Sequence, residues 1–349
     1  MRQHTFIRPR AIAALALLTT AGLALTACGT SDESSGSEST SAQVTFALDW
    51  TPNTNHIGVY VADELGYFDD AGLDVKILPY GSTAATQLVS AGKADFGIGG
   101  QSNVQVARTA GLDVVSVYRV TQTDTGRLVV LGDRDELARP ADLDGRVFGG
   151  FGAPLYSALA ASTIKGDGGR GEFEEVSLDT GAYEALAQGR IDFTLSVATW
   201  EDLQMQIDGH PYRAFRYQDY GVPEQQAIGI VSSDAYLEGH PDEAAAFVQA
   251  VARGYSYAAK NPSRAADLLI EANSDSLGKA EELVHRSAEL LAKDGYLTSS
   301  DRQIGAANPE AWDRFGAFLV EGGFLSDSKG RVVTEEPDWS RYYTDEYLD

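Results

Sequence analysis

Two stretches of the chain repeat one design: Ala91-Gly92-Lys93-Ala94-Asp95-Phe96 and Gln188-Gly189-Arg190-Ile191-Asp192-Phe193. In each, a helical pattern stops at Gly, a basic residue follows, and Asp-Phe opens a β-rich run. Gly takes the left-handed backbone that ends a helix, so both stretches read as helix-to-strand junctions. The repetition predicts two lobes of similar build.

Working outward, β-rich runs at 44–48, 73–77 and 95–98 alternate with helical patterns at 58–68 and 84–91. A second series follows: strands at 146–148, near 176 and at 192–195, with helices at 154–164 and 183–188. Alternation of this kind argues for βαβ units and parallel pairing. Sites in such sheets lie beyond the C-terminal strand ends, in the loops that lead into helices. The last third is helical. Pro241 fits a first helical position, with Phe247, Val248, Val251 and Tyr255 at helical spacing behind it. Further helices fit 265–272, 279–293 and 309–320. Trp312, Phe315 and Leu319 share a face in the last, which makes Trp312 a core residue. His285 reads as a solvated side chain, and His210 and His240 as loop residues.

The 349 residues include 27 Lys and Arg against 51 Asp and Glu, a net charge of −24. So negative a field repels phosphate backbones, which excludes nucleic acid as a partner, and it gives no polybasic membrane surface. Apolar residues make up 43%, an ordinary globular share, and the length suits two domains. One Cys and five His exclude a disulfide framework and Cys-based zinc sites. No cofactor or metal is expected.

Residues 1–27 read as a secretion signal, with Arg2, Arg8 and Arg10 ahead of an Ala- and Leu-rich run. That run is too short to cross the roughly 30 Å hydrocarbon layer as a permanent helix. Leu25-Thr26-Ala27-Cys28 resembles the bacterial lipoprotein box, which implies lipidation of Cys28 and a membrane anchor on the extracytoplasmic face. Residues 28–42 hold no large apolar side chain after Cys28 and read as a flexible tether.

Candidate chemistry lies in the strand-end loops. Leu48-Asp49-Trp50-Thr51-Pro52-Asn53-Thr54-Asn55-His56 puts a stacking face beside in-plane donors and acceptors. Pro-Asn and Asn-Thr are also ordinary turn residues. Gly99-Gly100-Gln101-Ser102-Asn103 adds amides and a hydroxyl. Gly149-Gly150-Phe151-Gly152-Ala153-Pro154 allows backbone to approach a ligand at a helix start, but lacks the spacing of a P-loop or dinucleotide fingerprint.

Asp49-Trp50-Thr51-Pro52-Asn53, His56, Gly66-Tyr67-Phe68 and Gly72-Leu73-Asp74-Val75 resemble the thiamine-pyrimidine branch of ABC-transporter solute-binding proteins, which is related to sulfonate, nitrate and taurine binders and to the fungal thiamine-pyrimidine synthases. Gly92–Gly97, Gly149–Leu155, Trp200-Glu201, Asp219–Pro223 and Tyr343–Leu348 agree with it. The resemblance implies an α/β, two-lobed periplasmic-binding-protein type II fold, with mixed sheets flanked by helices and a hinge of two crossovers. Lobe 1 would take 43–125 and 225–349, and lobe 2 would take 126–224.

It further implies a monomeric lipoprotein that hands a small heterocycle, a formylaminopyrimidine- or hydroxymethylpyrimidine-like thiamine precursor, to an ABC permease. Asp49, Trp50, Asn53, Gln101, Ser102, Gly150, Phe151, Gly152, Trp200, Glu201 and Tyr220 are the expected ligand contacts. Glu201 would accept from an exocyclic amine and Tyr220 would stack. Tyr80, Tyr118, Arg119 and Arg127 are further candidates for the cleft wall. Riboflavin, a sulfonate or nitrate is the alternative cargo, although the motif loops carry almost no cation to hold an anion. The synthases use a lysine and a sacrificed histidine, and on the matching stretch Gly99 and Asn103 occupy those places. With no Cys after Cys28 either, the resemblance points to a binder and not an enzyme. Tyr156, where many relatives would carry Glu, and Gly100-Gln101 depart from the family pattern.

Overall fold

The computed structural model describes residues 41–293 and 295–348. The expected secretion signal, Cys28 and the expected tether as far as residue 40 lie outside them; Ala42, expected as the end of the tether, instead begins the first strand. Ten strands run in chain order as β1 (Ala42–Ala47), β2 (Leu73–Leu78), β3 (Phe96–Ile98), β4 (Val115–Arg119), β5 (Gly126–Leu131), β6 (Val147–Gly150), β7 (Glu174–Ser177), β8 (Phe193–Val197), β9 (Tyr212–Arg216) and β10 (Gly229–Ser232). They form two five-stranded sheets, ordered β2-β1-β3-β10-β4 and β7-β6-β8-β5-β9.

The two sheets share one plan. β1 is parallel to β2 and β3, while β10 runs antiparallel to β3 and β4. Likewise β6 is parallel to β7 and β8, while β5 runs antiparallel to β8 and β9. The sheets are mixed, as the family resemblance implies, and the parallel pairing read from strand alternation holds within β1, β2 and β3 and within β6, β7 and β8. In each sheet one strand arrives from the far side of a crossover and enters in the opposite sense.

The repeated junction is the physical hinge of this likeness. Gly92 and Gly189 take φ of 61° and 68°, ending the helices Ala85–Ser90 and Gly181–Ala187. Asp95 Oδ2 then accepts from the Thr45 N–H at 2.7 Å, and Asp192 Oδ2 from the Val147 N–H at 3.0 Å. Each carboxylate thus pins the start of the central strand of its sheet to the neighbouring parallel strand, and Phe96 and Phe193 come to lie opposite Phe46 and Phe148. Burial works against ionisation of Asp192, but the Val147 N–H and Arg134, 2.9 Å away, hold its carboxyl below the usual range. Replacing Asp192 by Ala should cost about 2 kcal/mol, read as a lower midpoint in thermal or urea unfolding.

Phe247, from the helix Pro241–Lys260, covers the first sheet. Its ring lies 4.0 Å from that of Phe96 and 5.5 Å from that of Phe68. Phe148, Phe173 and Phe193 form the matching cluster on the second sheet. Trp312 is fully buried, as its helical face predicts. The 58–68 pattern is interrupted: Gly66, at φ 70°, divides it into helices Ile57–Glu64 and Tyr67–Asp70. His285 is not simply solvated, since its Nε2 lies 3.3 Å from Asp267. Among the described residues no helix is long and apolar enough to cross a membrane.

Candidate functional site

The candidate residues lie largely in loops that follow the parallel strands β1, β3, β6 and β8. The loop after β1 is braced from within. Asp49 Oδ1 lies 3.0 Å from Nε2 of the fully buried His56, and the His56 Nδ1 accepts from the Asn53 N–H at 3.3 Å. Asn53 itself caps the turn, its Oδ1 accepting from the Asn55 N–H and its Nδ2 donating to the Thr51 carbonyl. Tyr255, from the long helix behind, donates its hydroxyl to the Asn55 carbonyl at 2.6 Å. This bracing leaves the Asp49 carboxylate and the half-buried Trp50 ring facing outward, with Tyr80 beside the indole at a centroid distance of 5.3 Å.

The loop after β8 approaches from the other sheet. Ser287, on the helix Glu281–Lys293, bonds both the Thr54 hydroxyl and the Thr199 carbonyl, and so joins the β1 loop to the β8 loop. Trp200 follows Thr199 and packs against the apolar cluster of the first sheet. Glu201 Oε2 accepts from the Val197 N–H at 3.1 Å. Burial nonetheless pushes the Glu201 carboxyl up to about 7, with the charge of Asp202 adding to the effect.

Tyr156, in the first turn of the helix Pro154–Gly166, keeps 36% of its surface accessible. Its phenol is raised by desolvation first, then by the charges of Asp49 and Asp124. Phe151 lies 6.1 Å from the Tyr156 ring and 5.8 Å from that of Tyr183, whose phenol in turn responds to Glu201. Ser287 thus brings the loop of Asp49 and Trp50 beside that of Trp200 and Glu201, while Phe151, Tyr156 and Tyr183 lie together beyond β6.

Other sequence candidates sit elsewhere or are already committed. Gln101 is 1% exposed, donates to the Ala311 carbonyl and accepts from the Gln226 N–H, so it bolts a helix to the second crossover. Ser102 lies buried in the first turn of that helix, Gln101–Thr109. Tyr220 packs against Gly166, at the opposite end of a 13-residue helix from Gly152. Such a helix is about 20 Å long, so Tyr220 and the glycine loop do not meet. Gly152 adopts φ 77°. A Cβ on Gly150 would run into the carboxylate of Glu175, which also accepts from the Ser157 hydroxyl at 2.8 Å.

Of the further wall candidates, Tyr118 and Arg119 are fully buried, and Arg119 is paired with Asp345. Arg127 pairs with Asp202 at 3.3 Å. Tyr156, Asp124 and Tyr183 carry no sequence signal of their own. They enter the site through contacts that only the fold creates, although Tyr156 stands out as a departure from the family pattern.

The NMT1/THI5 like family profile matches residues 53–265. The formylaminopyrimidine-binding protein of Halalkalibacterium halodurans is 30% identical over 302 residues, which span 84% of this chain and 88% of that protein. The 4-amino-5-hydroxymethyl-2-methylpyrimidine phosphate synthase THI13 of Saccharomyces cerevisiae is 21% identical over 64% of this chain and 69% of its own. Among solved structures, the alkanesulfonate-binding protein SsuA of Xanthomonas axonopodis, bound to MOPS, superposes with a TM-score of 0.64 at 13% identity, covering 81% of this chain and 94% of that one. At that identity the superposition speaks for the periplasmic-binding-protein fold alone, while the sequence matches reach further: the chain belongs to the NMT1/THI5-like family.

Proposed function

We propose that the chain is the extracytoplasmic substrate-binding lipoprotein of an ABC importer, and that it captures a thiamine pyrimidine precursor by lobe closure. What supports this reading is that Ser287 ties the β1 loop, which carries Asp49 and Trp50, to the β8 loop, which carries Trp200 and Glu201. The lobes are 43–125 with 225–349, and 126–224. A ring held between them contacts both sides only when they close, and so favours the closed form that a permease recognises. Trp50 supplies the stacking face and Glu201 the acceptor for an exocyclic amine. Asn53 and Gln101 support the walls, and Cys28 carries the lipid.

Three features favour a neutral nitrogen ring over an anion. Arg119 and Arg127 are committed to Asp345 and Asp202. Glu175 places a negative charge beside Gly150 of the glycine loop. The identity to a formylaminopyrimidine-binding protein extends over most of both chains. A binder is favoured over a synthase because a Cβ at Gly99 would lie 3.0 Å from both Thr86 and Val231, leaving little room for a lysine there. Asn103, at the histidine position, is used to accept from the Gly100 N–H at 3.0 Å.

Titration calorimetry of the protein against formylaminopyrimidine, hydroxymethylpyrimidine, riboflavin and MOPS tests the assignment. The pyrimidines should bind. A response to riboflavin or the sulfonate alone would reassign the cargo. Trp50→Ala should weaken the pyrimidine complex by about 1–3 kcal/mol, the scale of one aromatic stacking face on a base. Unchanged affinity would remove Trp50 from the site.

A further inference from the structure

The two crossovers meet at a polar contact that the stacking and amine contacts above leave unused. Asp124, on the first, is 5% exposed. Its Oδ1 accepts from the Gly126 N–H at 2.8 Å, and its Oδ2 accepts from Nε2 of Gln225, on the second crossover, at 2.9 Å. Glu224 closes the group by accepting from the Asp124 N–H at 2.6 Å. Gln225, also 5% exposed, is then left with a buried Oε1 that has no hydrogen-bond partner. A buried acceptor without a donor is costly, and native interiors rarely keep one without a reason.

Its surroundings define what would satisfy it. Asp124, Glu224 and the Gln225 carbonyl are acceptors. Arg127, whose charge reaches Asp124, already pairs with Asp202. Asp124 also lies two residues along the chain from Gly126, the first residue of β5, which pairs with Val197 at the end of β8. The Ala198 N–H, one residue before Thr199 and two before Trp200, donates to the Thr125 carbonyl at 2.9 Å, so the β8 loop is fastened to the same crossover.

We propose that Asp124 and Gln225 form a second recognition point in the cleft, accepting an N–H or O–H donor carried on a substituent of the bound ring. Glu201 reads one edge of the ligand, and the crossover pair reads another. The cargo class is thereby narrowed to rings with two separate donor groups. Because the pair spans both crossovers, filling it also ties ligand binding to the angle between the lobes. This inference rests on the ring-binding reading of the cleft, and its test separates the two.

The test is a cycle between protein and ligand, measured by titration calorimetry on the full chain. The probes are 4-amino-5-hydroxymethyl-2-methylpyrimidine and its 5-methyl analogue, which lacks only the hydroxyl. The wild type should lose about tenfold or more in affinity when the hydroxyl is removed, the usual cost of leaving buried acceptors unpaired. Gln225→Met, which keeps the volume, and Asp124→Asn should bind the two probes with nearly equal affinity, with melting of the free variants confirming that they fold. Equal weakening for both probes, or a wild type indifferent to the hydroxyl, would overturn the proposal while leaving the ring-binding reading intact. No binding of either probe by the wild type would overturn both.

Discussion

Replacing Asp345 by Ala should destabilise the protein by about 3–5 kcal/mol, more than any single substitution in the cleft. Arg119 is 1% exposed, and its guanidinium pairs with Asp345 while donating to the Ser116 carbonyl at 3.2 Å and the Thr344 carbonyl at 3.1 Å. Burial pulls Arg119 down to about 9, the mark of a cation with little water around it. Asp345 also accepts from the Ala307 N–H at 3.1 Å. Removing its carboxylate leaves a buried charge without its counterion, which costs more than the intact pair contributes. In a domain of this size the loss corresponds to a fall in Tm of roughly 6–10 °C. Asp345→Asn, which retains an acceptor, should fall between wild type and the Ala variant. A Tm unchanged in Asp345→Ala would show that the two carbonyls suffice for Arg119.

That pair also gives a physical role to the Tyr343–Leu348 tail. Thr344 N–H donates to the Ser116 carbonyl at 2.9 Å, Tyr343 packs on Trp312, and Leu348 is buried in the first core. The tail thus closes the edge beside β4.

The second large effect is a dependence of stability on pH. Glu201 is raised from 4.5 to about 7 and Asp124 from 3.8 to about 6, each by burial first. A carboxyl whose folded pKa is raised binds its proton more tightly in the native state. It therefore contributes stability below its unfolded pKa, and that contribution is lost as pH rises through the folded value. Shifts of this size correspond to about 3 kcal/mol each. Asp144, Asp167 and Asp192 are shifted the other way, and the stability they contribute is lost as pH falls below their ordinary range. The Tm of the ligand-free protein should therefore peak near pH 5, fall toward pH 7.5 and fall again below pH 4. Glu201→Gln should flatten the decline between pH 5 and 7.5 and raise Tm at its upper end. A Tm profile that rises steadily from pH 5 to 7.5 would contradict the burial of these groups.

The parts of the fold that were legible in the sequence are those governed by neighbouring residues. Pro154, Pro241 and Pro309 each open a helix because proline's fixed φ and missing N–H suit that position. Gly92 and Gly189 end helices where their left-handed backbone is needed. Strand direction was less accessible. β5 and β10 enter their sheets antiparallel because the chain has just crossed between them, and no local periodicity encodes that.

The site divides in the same way. Trp50 and Glu201 stand out because a large ring or an acid after a strand has few local uses. Asn53 and Gln101 look equally suitable as ligand contacts until their partners are known, and those partners prove to be backbone groups of the protein itself. Asp124 and Gln225 are about a hundred residues apart, at 101 positions, and their bond exists only once both crossovers are in place.

The Thr54–Ser287–Thr199 contact bears on how such a molecule moves. Three distant segments share one hydroxyl in a spot sealed from water, so drawing the two sheets directly apart would strand polar groups with nothing to replace what they lost. Any movement of the β8 loop away from the β1 loop would therefore have to find new partners for the Ser287 hydroxyl and the Thr199 carbonyl.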